Sequence, residues 1–302
     1  MDNNHKAKEP KPSWMKKRFF SGTTNRMVRS ILKRNELHTI CEEGLCPNLG
    51  QCYSNGTAAF LILGKYCTRK CLFCAVKHEP PMQPDPMEPS RVAHAVKSLG
   101  LSYIVITSVT RDDLTDGGAA HFAETINEIH RSTPEVCVEV LIPDFKGSLE
   151  SLRTVIEAKP EVISHNLETV PRIYQIVRPN AHYYRSLNLL KWIRIITPDI
   201  IIKSSLMLGM GEFPNEIRKV IKDLVEAECK ILTFGQYLQP SRDQLPVSRY
   251  IPLEEFDMWR KTALEMGIQA VISGPYVRSS YNAGEVYEVL NTLMRKSCDQ
   301  DV

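Results

Sequence analysis

From about residue 58 the chain alternates short apolar runs with longer stretches whose apolar positions recur at helical spacing. Ala59-Phe60-Leu61-Ile62-Leu63 predicts a buried strand, and residues 89–99 predict a helix with Val92, Ala95, Val96 and Leu99 on one face. Residues 103–107 form a second apolar run, followed by Arg111-Asp112-Asp113, Gly117-Gly118 and a helix to about residue 131. Residues 136–142 predict a third strand and 149–158 a helix. The fourth strand, 161–164, runs into His165-Asn166-Leu167-Glu168. The fifth, 200–208, ends in Gly209-Met210-Gly211-Glu212, with a helix over 215–228. The sixth, 231–234, leads into Gly235-Gln236-Tyr237, and a helix over 256–266 precedes a last short strand at 269–272.

Repeated strand-then-helix units imply parallel strands joined by right-handed crossovers, with helices covering the sheet. Six or seven units favour a complete or partial α/β barrel over an open doubly wound sheet. In that architecture chemistry sits at the C-terminal ends of the strands, where the polar groups just named fall. Gly209 and Gly211 would let backbone approach a ligand closely there.

At 302 residues and 43% apolar content, the chain can bury one large core or two small ones. A formal charge of +3 is too small to imply nucleic acid. The first 35 residues hold ten Lys and Arg against two acids, including Lys16-Lys17-Arg18, and predict a basic, partly disordered arm. There is neither an export-type apolar segment nor a run long enough to span a membrane. The expectation is a cytoplasmic protein with reduced thiols, in which clustered cysteines serve metal or redox chemistry.

Six of the nine cysteines lie between Cys41 and Cys74. Cys41, Cys46 and Cys52 read C-x4-C-x5-C; Cys67, Cys71 and Cys74 read C-x3-C-x2-C, just past the first strand. Three thiolates suit a four-iron cluster with one open iron better than structural zinc, which wants four ligands. A zinc site completed by His78, or a ferredoxin-like carrier, is the alternative. Cys137 and Cys229 predict core packing and Cys298 an exposed terminal thiol.

The second triplet, with Phe73 before its last cysteine, resembles the signature of the radical S-adenosylmethionine (SAM) enzymes. The first triplet, together with Arg278-Ser279-Ser280-Tyr281, resembles the lipoyl synthase family within that superfamily. Further matches are Leu37-His38-Thr39, Ile106-Thr107-Ser108-Val109, Arg111-Asp112-Asp113-Leu114, Pro143-Asp144-Phe145, His165-Asn166-Leu167-Glu168 and the run from Gly235 to Ser241, covering roughly residues 35–285. Departures are Ser205, where glycine is expected, and Leu72, where proline is common.

The resemblance implies a partial (β/α)6-type TIM barrel over 58–272. An auxiliary-cluster segment over 36–57 and a C-terminal segment over 273–302 would close its mouth, behind the arm at 1–35. It implies that Cys67, Cys71 and Cys74 hold a [4Fe–4S] cluster whose open iron binds SAM. A second, auxiliary [4Fe–4S] cluster would rest on Cys41, Cys46, Cys52 and Ser280, with Ser279 the near alternative. Phe73 would offer its backbone to adenine. Asn166 and Glu168 would hold the SAM ribose or amine, or the substrate amide, unless they are a solvated loop pair. Arg278 would bind SAM or substrate, or only orient the serine loop. The implied activity is insertion of two sulfur atoms at C6 and C8 of a protein-bound octanoyl-lysine, with 5′-deoxyadenosyl radicals from SAM and sulfur from the auxiliary cluster. Implied partners are octanoylated lipoyl carrier domains (2-oxoacid dehydrogenase E2 subunits and the glycine-cleavage H protein), a ferredoxin or flavodoxin donor, and an iron–sulfur carrier. A biotin-synthase-like sulfur inserter is the rival among enzymes, and a two-cluster electron carrier the rival outside them.

Overall fold

The apolar runs pair into one sheet. The computed structural model describes residues 11–16 and 20–298 of the 302-residue chain. Helix α1 (Thr23–Arg34), strand β1 (His38–Thr39) and helices α2 (Ile40–Glu43) and α3 (Leu49–Ser54) precede the first long strand, β2 (Ala59–Ile62). Then follow α4 (Glu88–Leu99), β3 (Tyr103–Ser108), α5 (Ala119–Ser132), β4 (Cys137–Leu141), α6 (Leu149–Glu157) and β5 (Val162–Ser164). The chain continues through α7 (Pro171–Val177), α8 (Tyr183–Ile196), β6 (Ile201–Leu208), α9 (Pro214–Glu226), β7 (Ile231–Gln236), α10 (Leu253–Glu265), β8 (Ala270–Gly274) and α11 (Ala283–Cys298).

The eight strands lie in sequence order. β2 through β8 are parallel, and β1 is antiparallel to β2. Among the described residues β1 and β8 are the sheet's two edges, so the barrel is open between them. Helices α4, α5 and α6 pack against one another on the outside. Each strand predicted from the apolar pattern is present, with ends displaced by a few residues.

Three segments depart from the pattern-based reading. Residues 169–199, left without elements, form α7 and α8. Pro171 starts the seven-residue α7. In α8 the buried Tyr183, Ser186, Leu187, Leu189, Leu190 and Ile193 are spread around the helix, so no clean stripe shows in sequence. Thr23–Arg34 is helical, not an unstructured part of the arm. Its stripe is narrow, with Val28 and Leu32 buried, and Arg29 is fixed by Glu42 at 2.8 Å and by the Tyr53 ring at 5.2 Å. Of the rest of the predicted arm, residues 1–10 and 17–19 lie outside the described residues, and Ser13–Met15 form a single helical turn with Met15 buried. Finally, the C-terminal segment divides. Pro275 to Tyr281 stays near the C-terminal end of β8, whereas α11 runs on to the opposite end of the barrel. There Leu290 packs with Val162, Ile201 and Ile231, the first residues of β5, β6 and β7, and Tyr287 meets Tyr103 at 5.5 Å.

Within the barrel one ion pair ties four adjacent strands. Lys203 Nζ of β6 donates to both Glu139 oxygens of β4 at 2.8 Å. Ser164 of β5 donates to Oε1 at 2.8 Å and Tyr103 of β3 to Oε2 at 2.6 Å. Both charged side chains are about fully buried, so removing one partner strands the other. Replacing Lys203 with Met should therefore cost about 3 kcal/mol in chemical denaturation. Adding Glu139→Leu should recover part of that loss, since the orphaned carboxylate is then gone.

Candidate active site

The second cysteine triplet occupies the loop that leaves β2. Leu63 (φ 66°) and Gly64 (φ 84°) turn the chain outward in the left-handed region. The Leu63 amide is held by Glu88 at 2.7 Å and its carbonyl by Arg111 at 3.3 Å. The loop is then drawn back over the strand ends by Arg69. This guanidinium, 3% exposed, spans Asp112 after β3 through Nε (2.7 Å) and Nη2 (2.8 Å), and reaches Asp144 after β4 at 2.7 Å. Thr68 adds bonds to the Thr110 carbonyl, and Leu72 donates to Val177 at 2.8 Å and accepts from Leu245 at 2.8 Å. A proline at position 72 would lose the first of the Leu72 bonds.

These constraints gather three free thiols. Cys67 Sγ accepts from the Thr110 amide at 3.3 Å and the Arg69 amide at 3.5 Å. Burial pushes Cys74 up to about 12 and raises Cys71, where the Arg178 charge opposes it. Buried thiols of this kind become thiolates when a cationic core replaces the lost hydration. Donor set, burial and amide bonds therefore fit an iron–sulfur cluster. His78 is engaged at Nδ1 by the Cys67 carbonyl at 2.8 Å. Among the described residues no group of three His, Cys, Asp or Glu side chains is close enough together to hold a single metal ion.

The first triplet sits beside the same mouth, with Cys41 on α2, Cys52 on α3 and Cys46 in the turn between them. Thr39 caps α2 and bonds Tyr53 at 2.7 Å, and Leu45 (φ 49°) turns the chain so that the Cys46 amide reaches the Cys41 carbonyl. Burial raises Cys41 to about 12, and the charges of Cys46 and Cys52 add to the rise. The serine motif is stitched to this segment from more than two hundred residues away. Asn48 Nδ2 donates to the Tyr276 carbonyl at 2.6 Å, and Gln51 Nε2 to Tyr281 Oη at 3.3 Å. Tyr276 and Tyr281 bracket Ser279 and Ser280, both half-buried. Arg278 is turned inward, with Nη1 on the Gln236 carbonyl at 3.2 Å; burial lowers its pKa, and Cys46 and Glu168 oppose that.

At the end of β5, Asn166 and Glu168 are not the solvated loop pair that the sequence allows. Asn166 is 9% exposed and donates to Glu168 at 3.1 Å. Burial raises the Glu168 carboxyl, opposed by Arg178 and Arg278. His165 donates Nδ1–H to the Ile142 carbonyl, and burial and Arg178 push it down to about 4, so it is neutral. Phe73 is half-buried and packs on the core beside Cys74.

Other expectations shift. Gly209 is closely packed by its own chain: a Cβ there would meet Gln236 Nε2 at 2.3 Å and the Arg249 carbonyl at 2.5 Å. Ser205 bonds Thr233 Oγ1 at 2.7 Å across the β6–β7 pair. Cys229 is buried, as expected; Cys137 is half-buried and hydrogen-bonded to Tyr287 of α11; the Cys298 side chain lies outside the described residues. Arg69, Arg178, Asn48 and Gln51 gave no sequence signal of their own. For Arg69 a hint exists in the Asp-bearing turns after two successive strands.

Asp144 supplies a pH test. Burial alone would raise its pKa, but Arg69 overrides burial and holds it at about 2. A depressed carboxyl contributes stability above its unfolded value near 3.9 and loses it as pH falls toward 2. The Arg69 anchor should therefore contribute about 2 kcal/mol at neutral pH that disappears between roughly pH 4 and 2. Acid unfolding of an Asp144→Asn chain should lack that component.

The chain's similarities agree with this geometry. The family model for the radical SAM superfamily matches residues 61–224. A lipoyl synthase from Caldanaerobacter subterraneus subsp. tengcongensis is 50% identical over 273 residues, 90% of this chain and 95% of the relative. One from Methylococcus capsulatus is 50% identical over 276 residues, 91% of this chain and 86% of the relative. The fold is shared with SuiB of Streptococcus suis bound to the precursor peptide SuiA, at 12% identity and a TM-score of 0.55, over 82% of this chain and 52% of that one. It is also shared with HydG, a maturase of the [FeFe]-hydrogenase, at 13% identity and 0.54, over 83% and 68%.

Proposed function

The chain belongs to the lipoyl synthase family of the radical SAM superfamily, and we propose that it inserts sulfur at C6 and C8 of an octanoyl chain carried on a protein lysine. Its cofactors are SAM and two [4Fe–4S] clusters. Cys67, Cys71 and Cys74 would hold one cluster, and Cys41, Cys46, Cys52 and Ser280 the other. When bound, these groups supply a 5′-deoxyadenosyl radical for hydrogen abstraction and the sulfur that replaces the hydrogen.

The protein's share is placement and exclusion. The stitch from Asn48 to Tyr276 and from Gln51 to Tyr281 supports this reading, because it ties the segment that carries the first triplet to the loop that carries the serine motif. Arg278, whose charge is felt by both Cys46 and Glu168, lies between that group and the strand ends of the mouth. Asn166 and Glu168 offer buried polar groups to the ribose or amine of SAM, and Phe73 its backbone to adenine. A primary carbon radical needs a site closed to water, and the serine loop packed on α3 supplies a wall.

Lipoyl-domain proteins are the substrates implied by the family. The octanoylated domains we propose are those of 2-oxoacid dehydrogenase E2 subunits and the glycine-cleavage H protein. A ferredoxin or flavodoxin would supply electrons, an iron–sulfur carrier would rebuild the auxiliary cluster, and the compartment would be the cytoplasm. Among the described residues no helix is long and apolar enough to cross a membrane.

With an octanoyl-lysine peptide, the anaerobically reconstituted chain should release 5′-deoxyadenosine and form the dithiolated product. Ser280→Ala should lower product at least ~10-fold while 5′-deoxyadenosine release persists, a loss of about 1.4 kcal/mol or more in barrier terms. Ser279→Ala should stay near wild type. The reverse pattern would move the ligand to Ser279, and two fully active variants would remove serine from the site. Absence of 5′-deoxyadenosine from wild type would overturn the activity itself.

A further inference from the structure

The outer face of α1 carries two arginines that the fold leaves unused. Arg29 is taken by Glu42, and Arg91 of α4 by Asp85 at 2.7 Å. Arg26 and Arg34 are exposed and, among the described residues, make no ion pair. Two turns of helix separate them, about 12 Å along the axis. Both line a groove of about 680 Å³ between α1 and α4, with Met27 and Ile31 between them and His94 on the facing wall. Met27 is 45% exposed, and the lining holds no acidic side chain. Asn35 pins the two helices at one end of the groove. Its Oδ1 bonds His94 at 3.0 Å, and its carbonyl accepts from Arg91 Nε at 2.9 Å.

A basic rim around an apolar floor fits a protein surface that sets carboxylates around an apolar contact. The chain's own arm has the wrong sign, since residues 1–22 hold six Lys and Arg against two acids. A second copy would bring the same cations face to face. The surroundings of the groove narrow the choice further. α1 is fixed to α3 by Asn25 Nδ2 on the Gly50 carbonyl at 3.2 Å, two residues before Cys52. At the Asn35 end, Arg91 also lines a pocket of about 310 Å³ with Lys65, Tyr66 and Met82. Tyr66 directly precedes Cys67, so the groove leads up to the edge of the mouth.

We propose that the α1–α4 groove docks an acidic, apolar-centred stretch of the octanoylated carrier protein, holding the carrier on the flank of the barrel while its acyl-lysine enters the mouth beside Tyr66. The inference rests on the sulfur-insertion reading and adds to it the place where the protein substrate is gripped.

The test compares octanoylated glycine-cleavage H protein with a short octanoyl-lysine peptide, on iron-loaded wild type and on the double variant Arg26→Glu, Arg34→Gln. Arg26 lies near the start of α1, where an acid suits the helix dipole, so the helix should persist. The variant should bind H protein at least ~10-fold more weakly, with a shallower salt dependence, and its KM for H protein should rise in step. Its kcat with H protein and its turnover of the peptide should stay at the wild-type level. Equal losses with H protein and peptide would make the arginines merely structural, and unchanged H-protein binding would remove the groove as its dock; either result overturns the proposal. So would capture of phosphatidylserine vesicles by wild type that the variant loses while its H-protein affinity is unchanged, since the face would then meet a membrane. Failure of wild type to release 5′-deoxyadenosine with the peptide would instead overturn the reading beneath it.

Discussion

The buried Arg69 fork is the interaction on which the mouth depends. The loop from Cys67 to Cys74 has no regular secondary structure of its own, and a loop of that length would ordinarily lie in solvent. Arg69 instead turns inward and spans the turns after β3 and β4, and Asp144 meets it with no exposed surface at all. Because a desolvated guanidinium must find anions, the cysteine loop can take few other positions. Cys71 and Cys74 are consequently desolvated and their deprotonation is disfavoured, and a cationic core would be what makes such thiols thiolates.

The two ends of the chain complete the site from outside the barrel. α1, β1, α2 and α3 come before the first long strand, and the serine loop follows the last. Asn48 and Gln51 join them by two side-chain bonds across 228 and 230 residues of sequence. Closing so long a loop costs entropy slowly with length, so modest contacts suffice once the barrel has formed. α11 then anchors the same terminus at the far end through Leu290 and Tyr287. In the proposed ligand set Ser280, a harder ligand than thiolate, would hold the corner at which the auxiliary cluster opens.

The strands were legible because buried parallel strands read as continuous apolar runs, and Ala59–Ile62 and Ile231–Gln236 are buried along their length. α8 was not, because its apolar residues do not form one stripe, and α1 was hidden by its own basic residues. The cysteines announced themselves by spacing. Ser280 is a candidate only by resemblance, since a hydroxyl in a turn is ordinary; the structure adds that Asn48 and Gln51, beside the first triplet, bond the tyrosines that flank it. Arg69 and Arg178 matter for what they meet in space, which no local pattern encodes. Gly209 shows the converse: a ligand-like G-x-G whose close approach is to Gln236 and Arg249.

Division of labour between the two triplets is the central claim, and one measurement addresses it most directly. Iron, sulfide, 5′-deoxyadenosine and thiolated product are quantified for the wild-type chain and for a chain with Cys41, Cys46 and Cys52 replaced by Ala. Wild type should hold about eight irons and eight sulfides, and the variant about four of each. The variant should still cleave SAM and form no sulfur-containing product. Sulfur insertion by the variant, or loss of SAM cleavage with four irons retained, would contradict the claim.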